Sequence, residues 1–253
     1  MSEFHLHIAG RTARVQTLFE STRDYFRHYL TLDAPDFSVT VRREDLEFEQ
    51  AELDAEAALE GFRRRKFTDP FLERAAIQRS FAEDLFDRGT LLFHGSAIAV
   101  DGKGYLFTAK SGTGKSTHTR LWRELLDSRA VMINDDKPFL TIREDQVLLC
   151  GSPWSGKHGL DTNLTVPLEG ICILHRGTEN AIAPLSPNQA LPRLLHECYC
   201  PMDPAKAPRL RALAEALANS VPLWQMYCNK EPQAAEVAFA AMSAGRHSQC
   251  PID

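Results

Sequence analysis

No apolar run in this 253-residue sequence approaches the ~20 residues that a membrane-spanning helix needs, so no membrane segment is expected. The N-terminus, Met1-Ser-Glu-Phe-His-Leu-His7, lacks the basic-then-apolar order of a signal peptide. Six cysteines are too few for a disulfide framework in a chain of this length, and reduced thiols in a cytoplasmic protein are the expectation. There is no basic excess either. Lys and Arg number 29 against 34 Asp and Glu, for a net charge of −5, which argues against a nucleic-acid partner. Repeats and low-complexity tracts are missing. What remains, 43% apolar and 25% charged, is an ordinary globular composition, enough for one large domain or a large and a small one.

The most informative stretch present is Ala109-Lys-Ser-Gly-Thr-Gly-Lys-Ser116. It fits the phosphate-binding loop pattern, with Ala at the first position instead of Gly. Ser111, Gly112, Thr113 and Gly114 would let backbone N–H groups close around phosphate oxygens, because glycine brings no Cβ into the way. Lys115 would reach the outer phosphates, Ser116 would bind Mg²⁺, and Thr117 would follow in the first helical turn. The context supports this: Gly104 to Thr108 reads as a buried strand, and Thr117 to Leu126 as a helix. Strand, loop and helix in that order are what anion capture at a helix N-terminus requires.

Around the loop the chain divides into an N-terminal α/β region, residues 1–89, and a nucleotide-binding region, residues 90–253. In the first, Phe4 to Ile8 and Phe37 to Val41 alternate as strands do, and Gln16 to Leu32 has helical spacing. An acidic run from Glu44 to Glu60 and the basic cluster Arg63-Arg-Arg-Lys66 read as solvated helix faces or loops; a second reading has the cluster meet an anionic substrate or partner. Thr68-Asp-Pro70 starts a helix that Gly89 ends. In the second region, strands are expected at Thr90–His94, Ser96–Val100, Gly104–Thr108, Ala130–Asn134, Phe139–Ile142, Gln146–Cys150, Gly170–His175 and Leu223–Cys228. Several are too close together for helical crossovers, so hairpins and a mixed sheet follow. Helices are expected around Leu210 to Leu217 and Glu231 to Met242.

Three segments supply candidate chemistry. Ala130-Val-Met-Ile-Asn-Asp-Asp136 ends an apolar strand in two carboxylates, about 20 residues after Lys115. One of Asp135 and Asp136 could hold Mg²⁺, a hard cation that prefers oxygen, and the other accept a proton from an attacking hydroxyl. Spacing does not assign which does which. His94 precedes the loop strand by one hairpin, where it could polarise a phosphoryl oxygen or reach metal. Gly151-Ser-Pro-Trp-Ser-Gly-Lys-His-Gly159 is a tight loop whose Lys157 and His158 suit a transferring phosphate or an anionic substrate. His196-Glu-Cys-Tyr-Cys200 has candidate zinc ligands, but not the spacing of a zinc knuckle.

Taken in order, His94-Gly-Ser-Ala, a hairpin, Ser111-Gly-Thr-Gly-Lys-Ser-Thr117 and Asn134-Asp-Asp136 resemble the HPr kinase/phosphorylase catalytic domain. The same order is similar to the nucleotide core of ATP-dependent phosphoenolpyruvate carboxykinase. Short bacterial HPr-kinase-like proteins of peptide-modification systems look most alike, through Pro153 to Lys157 and the late strand Val221 to Asn229. The resemblance covers roughly residues 90–242. It implies an α/β fold with a mixed-sheet P-loop kinase core beside the small N-terminal region. It also implies ATP, Mg²⁺ and phosphoryl transfer to a hydroxyl of a peptide, protein or small molecule. By the same resemblance, Gly112 to Ser116 hold phosphates and Mg²⁺, His94 and Asp135 work on the acceptor hydroxyl, and Asp136 binds metal. Homo-oligomers are implied too. The signature loop for dephosphorylation has no clear match, and the first 89 residues do not look like the HPr kinase N-terminal domain. A nucleotide-hydrolysing switch is the alternative, and a carboxykinase-like enzyme a more distant one.

Overall fold

The computed structural model describes residues 2–59, 61–110 and 112–244. The chain forms two compact units, Met1–Leu85 and Phe86–Asp253.

In the first unit, β1 (Ser2–Ile8) and β2 (Arg11–Thr17) form a hairpin across Ala9 and Gly10, whose φ values are +50° and +78°. A helix α1 (Glu20–Tyr25), a short strand β3 (Leu30–Thr31), β4 (Phe37–Thr40), α2 (Arg43–Leu59) and α3 (Asp69–Phe86) follow. The sheet order is β3-β1-β2-β4. Phe4, Leu6, Ile8, Ala13, Val15 and Val39 are buried, the period-two signature of a one-sided sheet. The continuous helix expected over Gln16 to Leu32 does not form. Arg11 to Thr17 alternates in burial and pairs along the whole of β1, so the helix is confined to Glu20–Tyr25. The acidic run lies on α2 from Glu44 to Glu56, Glu60 lies outside the described residues, and Arg63 to Lys66 are exposed between α2 and α3.

The second unit is mixed α/β. Its elements are β5 (Thr90–Leu92), β6 (Ser96–Val100), β7 (Lys103–Thr108), α4 (Lys115–Leu126), β8 (Ala130–Asn134), β9 (Phe139–Ile142) and β10 (Val147–Cys150). Then come β11 (Thr165–Arg176), β12 (Ala181–Pro184), α5 (Pro187–Glu197), α6 (Ala207–Ser220), β13 (Leu223–Cys228) and α7 (Gln233–Ser243). They build a nine-stranded mixed sheet, β5-β9-β10-β11-β7-β6-β8, in which β13 also pairs with β11 and β12 with β13. The β6–β7 hairpin turns on Asp101 and Gly102, both at positive φ, as a two-residue turn requires.

β11 is twice as long as its apolar run suggested. Its first residues pair antiparallel with β10, and Ile171 to Arg176 pair parallel with β13 on that same side. β7 runs parallel along the other side. Successive residues alternate between two cores. Ile171 and Ile173 join Leu194 and Leu217 of α5 and α6; Cys172 and Leu174 join Trp122 and Ala238 of α4 and α7. The parallel trio β7, β11 and β13 thus ends at one edge, where the glycine-rich loop emerges.

Candidate functional site

β7 delivers the loop directly into α4. Ala109 is buried at the strand end, and Gly112 and Gly114 take φ values of +73° and +124°, which L side chains rarely adopt. Gly114 is the residue before the helix, so Lys115 and Ser116 open the first turn of α4, and Thr117 follows. Arg176, at the end of β11, donates to the Gly112 carbonyl at 2.7 Å and holds the loop from the side. Ser111 lies outside the described residues. No side chain caps α4, so the partial positive charge of its N-terminus faces the loop.

Lys115 bends back toward the segment between β5 and β6. Its Nζ lies 3.1 Å from Nε2 of His94, and burial lowers its pKa against the pull of Glu197 and Asp136. The same Nε2 is 3.3 Å from Oδ1 of Asp136. His94, Lys115 and Asp136 therefore meet at one point, although they come from three separate elements. Hydrogen bonds to Asp136 and to Glu197 raise the His94 pKa and outweigh burial. Burial works to raise the Asp136 carboxyl, but the His94 hydrogen bond and the Lys137, His94 and Lys115 charges hold it below the usual value.

Asn134 shapes the strand end. Its Oδ1 accepts from the N–H groups of Asp136 at 2.7 Å and Lys137 at 2.6 Å, while Nδ2 donates to the Ser152 carbonyl at 2.8 Å. Asp135 consequently faces the Gly151–Gly159 loop, and its Oδ1 accepts from the Gly156 N–H at 2.5 Å. Its Oδ2 is buried without a hydrogen-bond partner, and burial raises the carboxyl pKa. Trp154 is the anchor of that loop, buried against Phe139. Lys157 and His158 are exposed, and with Lys115, Ser116, Asp135 and Asp136 they line a cleft of ≈ 710 Å³.

Glu197 is the site residue that sequence reasoning missed. It ends α5, its side chain is 2% exposed, and Oε2 sits 2.8 Å from Nδ1 of His94. Arg193, one turn earlier, pairs with Oε1 at 2.8 Å. Burial would raise the Glu197 pKa, but His94, Arg193 and Lys115 together keep it low. In the segment His196 to Cys200, burial pushes the Cys198 thiol up to about 12, which disfavours the thiolate a metal would need. Among the described residues, no cluster of three His, Cys, Asp or Glu side chains is set to hold a metal ion. Nor is any helix among them long and apolar enough to cross a membrane.

Comparison with known proteins gives likenesses of two kinds. A family described as "ScmC: SynChlorMet cassette protein ScmC" matches residues 76–199. A solved structure, the Hpr(Ser) kinase/phosphatase from Coxiella burnetii, aligns with 60% of this chain and 97% of its own. The identity there is 10% and the TM-score 0.37. A search of curated proteins gives no match.

Proposed function

We propose that this protein is a kinase that uses ATP and Mg²⁺ to phosphorylate a hydroxyl group on a peptide, protein or small molecule. The observation that carries the reading is the meeting of Lys115, His94 and Asp136 at the N-terminus of α4, with Asp135 on the adjoining residue. Backbone N–H groups from Gly112 to Ser116, with Thr117 beside them, would bind the phosphates of ATP, and Lys115 would neutralise the outer ones. Ser116 and Asp136 both line the cleft and offer hard oxygens, which suits Mg²⁺. That ion, when bound with the nucleotide, would supply charge neutralisation at the phosphates.

The roles of the remaining groups follow from their surroundings. Asp135, with one oxygen fixed by Gly156 and a pKa raised by burial, would take the acceptor's proton. The acceptor oxygen then bonds to the γ-phosphorus. The bridging bond to the β-phosphate breaks, and its electron pair leaves with ADP. His94 would donate from Nε2 to a phosphoryl oxygen. Lys157 would add positive charge at the cleft mouth.

The acceptor would be chosen by the N-terminal unit, a role argued from its exposed Arg63 to Lys66 cluster. Similarity of the motif order to the HPr kinase domain supports the same chemistry, and by that similarity the enzyme would work as a homo-oligomer. The decisive experiment follows labelled γ-phosphate from ATP into fractionated peptides and metabolites. Label in a hydroxyl-bearing product supports the kinase. Label found only as free phosphate, whatever acceptor is offered, replaces it with a nucleotide-hydrolysing switch.

A further inference from the structure

We propose that Glu197 is the positioning residue of this site: it holds the His94 ring so that Nε2, and not Nδ1, faces Lys115 and Asp136. An imidazole ring has two similar edges, and rotation about χ2 exchanges them. Something must choose between the two orientations, and the contacts on the far edge do so. Nδ1 of His94 lies 2.8 Å from Glu197 Oε2. The backbone N–H of His94 donates to the Glu197 carbonyl at 2.8 Å, and Phe93 pairs with Cys198 as an antiparallel bridge. Tyr199 N–H donates to the Leu92 carbonyl at 2.8 Å, so the segment leaving α5 runs beside the one that carries His94.

Backbone pairing therefore brings the two residues side by side before their side chains meet. Arg193 Nη2 lies 2.8 Å from the second oxygen of Glu197, an ion pair without hydrogen-bond geometry that favours the charged carboxylate beside His94. A buried carboxylate is costly to desolvate, and an apolar residue of similar size would often stabilise the fold as well or better. Aiming a ring is a use that an apolar residue could not fill.

The consequence for transfer rests on the kinase reading, but the ring orientation can be measured without turnover. In full-length protein carrying ¹⁵N-histidine, the His94 signals are those missing from His94→Gln. The expected wild-type spectrum shows a strongly downfield proton on Nδ1, as a hydrogen bond to carboxylate produces. A hydrogen-bonded proton on Nε2 alone, or none, overturns the proposal, and this needs no variant of Glu197. In Glu197→Gln the downfield signal should move upfield. The transfer kcat should fall about 10²- to 10⁴-fold, as for a mis-set catalytic histidine, with the KM for ATP within about threefold. Unchanged His94 signals in a folded Glu197→Gln protein, or a raised KM with kcat intact, also overturn it. Should wild type transfer no label at all, the kinase reading fails while the spectrum still decides the role of Glu197.

Discussion

The N–H of Gly156 donates to Oδ1 of Asp135, and that contact links the Gly151–Gly159 loop to the end of β8. It leaves Oδ2 as the oxygen without a hydrogen-bond partner. Asp135→Asn keeps the size of the side chain and an oxygen for Gly156, but cannot take a proton. We expect phosphoryl transfer to fall by about 10²- to 10⁴-fold while ATP affinity is retained. Single-turnover transfer and nucleotide titration check this; transfer that persists in the variant refutes the assignment of the base.

The pH profile of transfer should be bell-shaped. As base, Asp135 must be ionised, and its pKa is raised by burial, so activity is lost as pH falls through that raised value. As phosphoryl-oxygen donor, His94 must be protonated. Its pKa is raised by Asp136 and Glu197, so activity is lost as pH rises through it. In His94→Gln the alkaline limb should disappear while the acid limb stays; a kcat profile with both limbs intact removes His94 from the chemistry.

His118, in the first turns of α4, bears on stability. Its Nε2 accepts from Trp122 at 3.2 Å, its Nδ1 is buried without a partner, and burial lowers its pKa to about 4. Between about 4 and 6.5 the unfolded chain binds a proton there that the folded chain does not. Stability should therefore fall as pH drops through that window, by on the order of 3 kcal/mol for a shift of this size. Urea unfolding from pH 8 to pH 4.5 measures it, and His118→Gln should lose this component of the slope.

Gly151 has no room for a side chain. A Cβ there would stand 1.9 Å from the Thr162 carbonyl oxygen, which is backbone and cannot swing aside. Gly151→Ala should destabilise by about 1–3 kcal/mol, lower Tm by several degrees, and withdraw Gly156 from Asp135. An unchanged Tm with unchanged kcat would mean that the loop shifts freely.

Arg63, Arg64 and Arg65 are exposed, so replacing all three by Ala should leave Tm nearly unchanged. The KM for the acceptor should rise while ATP affinity holds. Acceptor kinetics that stay the same exclude this cluster from docking.

What could be read in the sequence was local. The glycine-rich loop, the hairpin at Asp101-Gly102 and the Asp135-Asp136 strand end each lie within a few residues of their own signal. Strands such as Ser96–Val100 and Leu223–Cys228 declared themselves as apolar runs between turns. β12 did not, because it is short and mostly exposed. α5 carries a proline at its start and another inside, which hides its helical spacing. Glu197 was illegible for a different reason. Its partner His94 is distant in sequence, and only the bridge between Phe93 and Cys198 makes them neighbours. The missing helix at Gln16–Leu32 was a matter of period: Ala13, Val15 and Thr17 bury one strand face, and pairing with β1 prevailed over weak helical spacing.

The division of β11 between two neighbours also sets an order of assembly. Its first half finds β10 a short distance back along the chain, whereas Ile171 to Arg176 await a strand that begins only at Leu223. During synthesis, these residues present an unpaired edge until Cys228 has left the ribosome, and such edges invite pairing with other chains. Arg176, which steadies the loop through Gly112, sits on that late-completed edge. The end of the sheet that carries the glycine-rich loop thus closes late, only once Leu223 to Cys228 has been made.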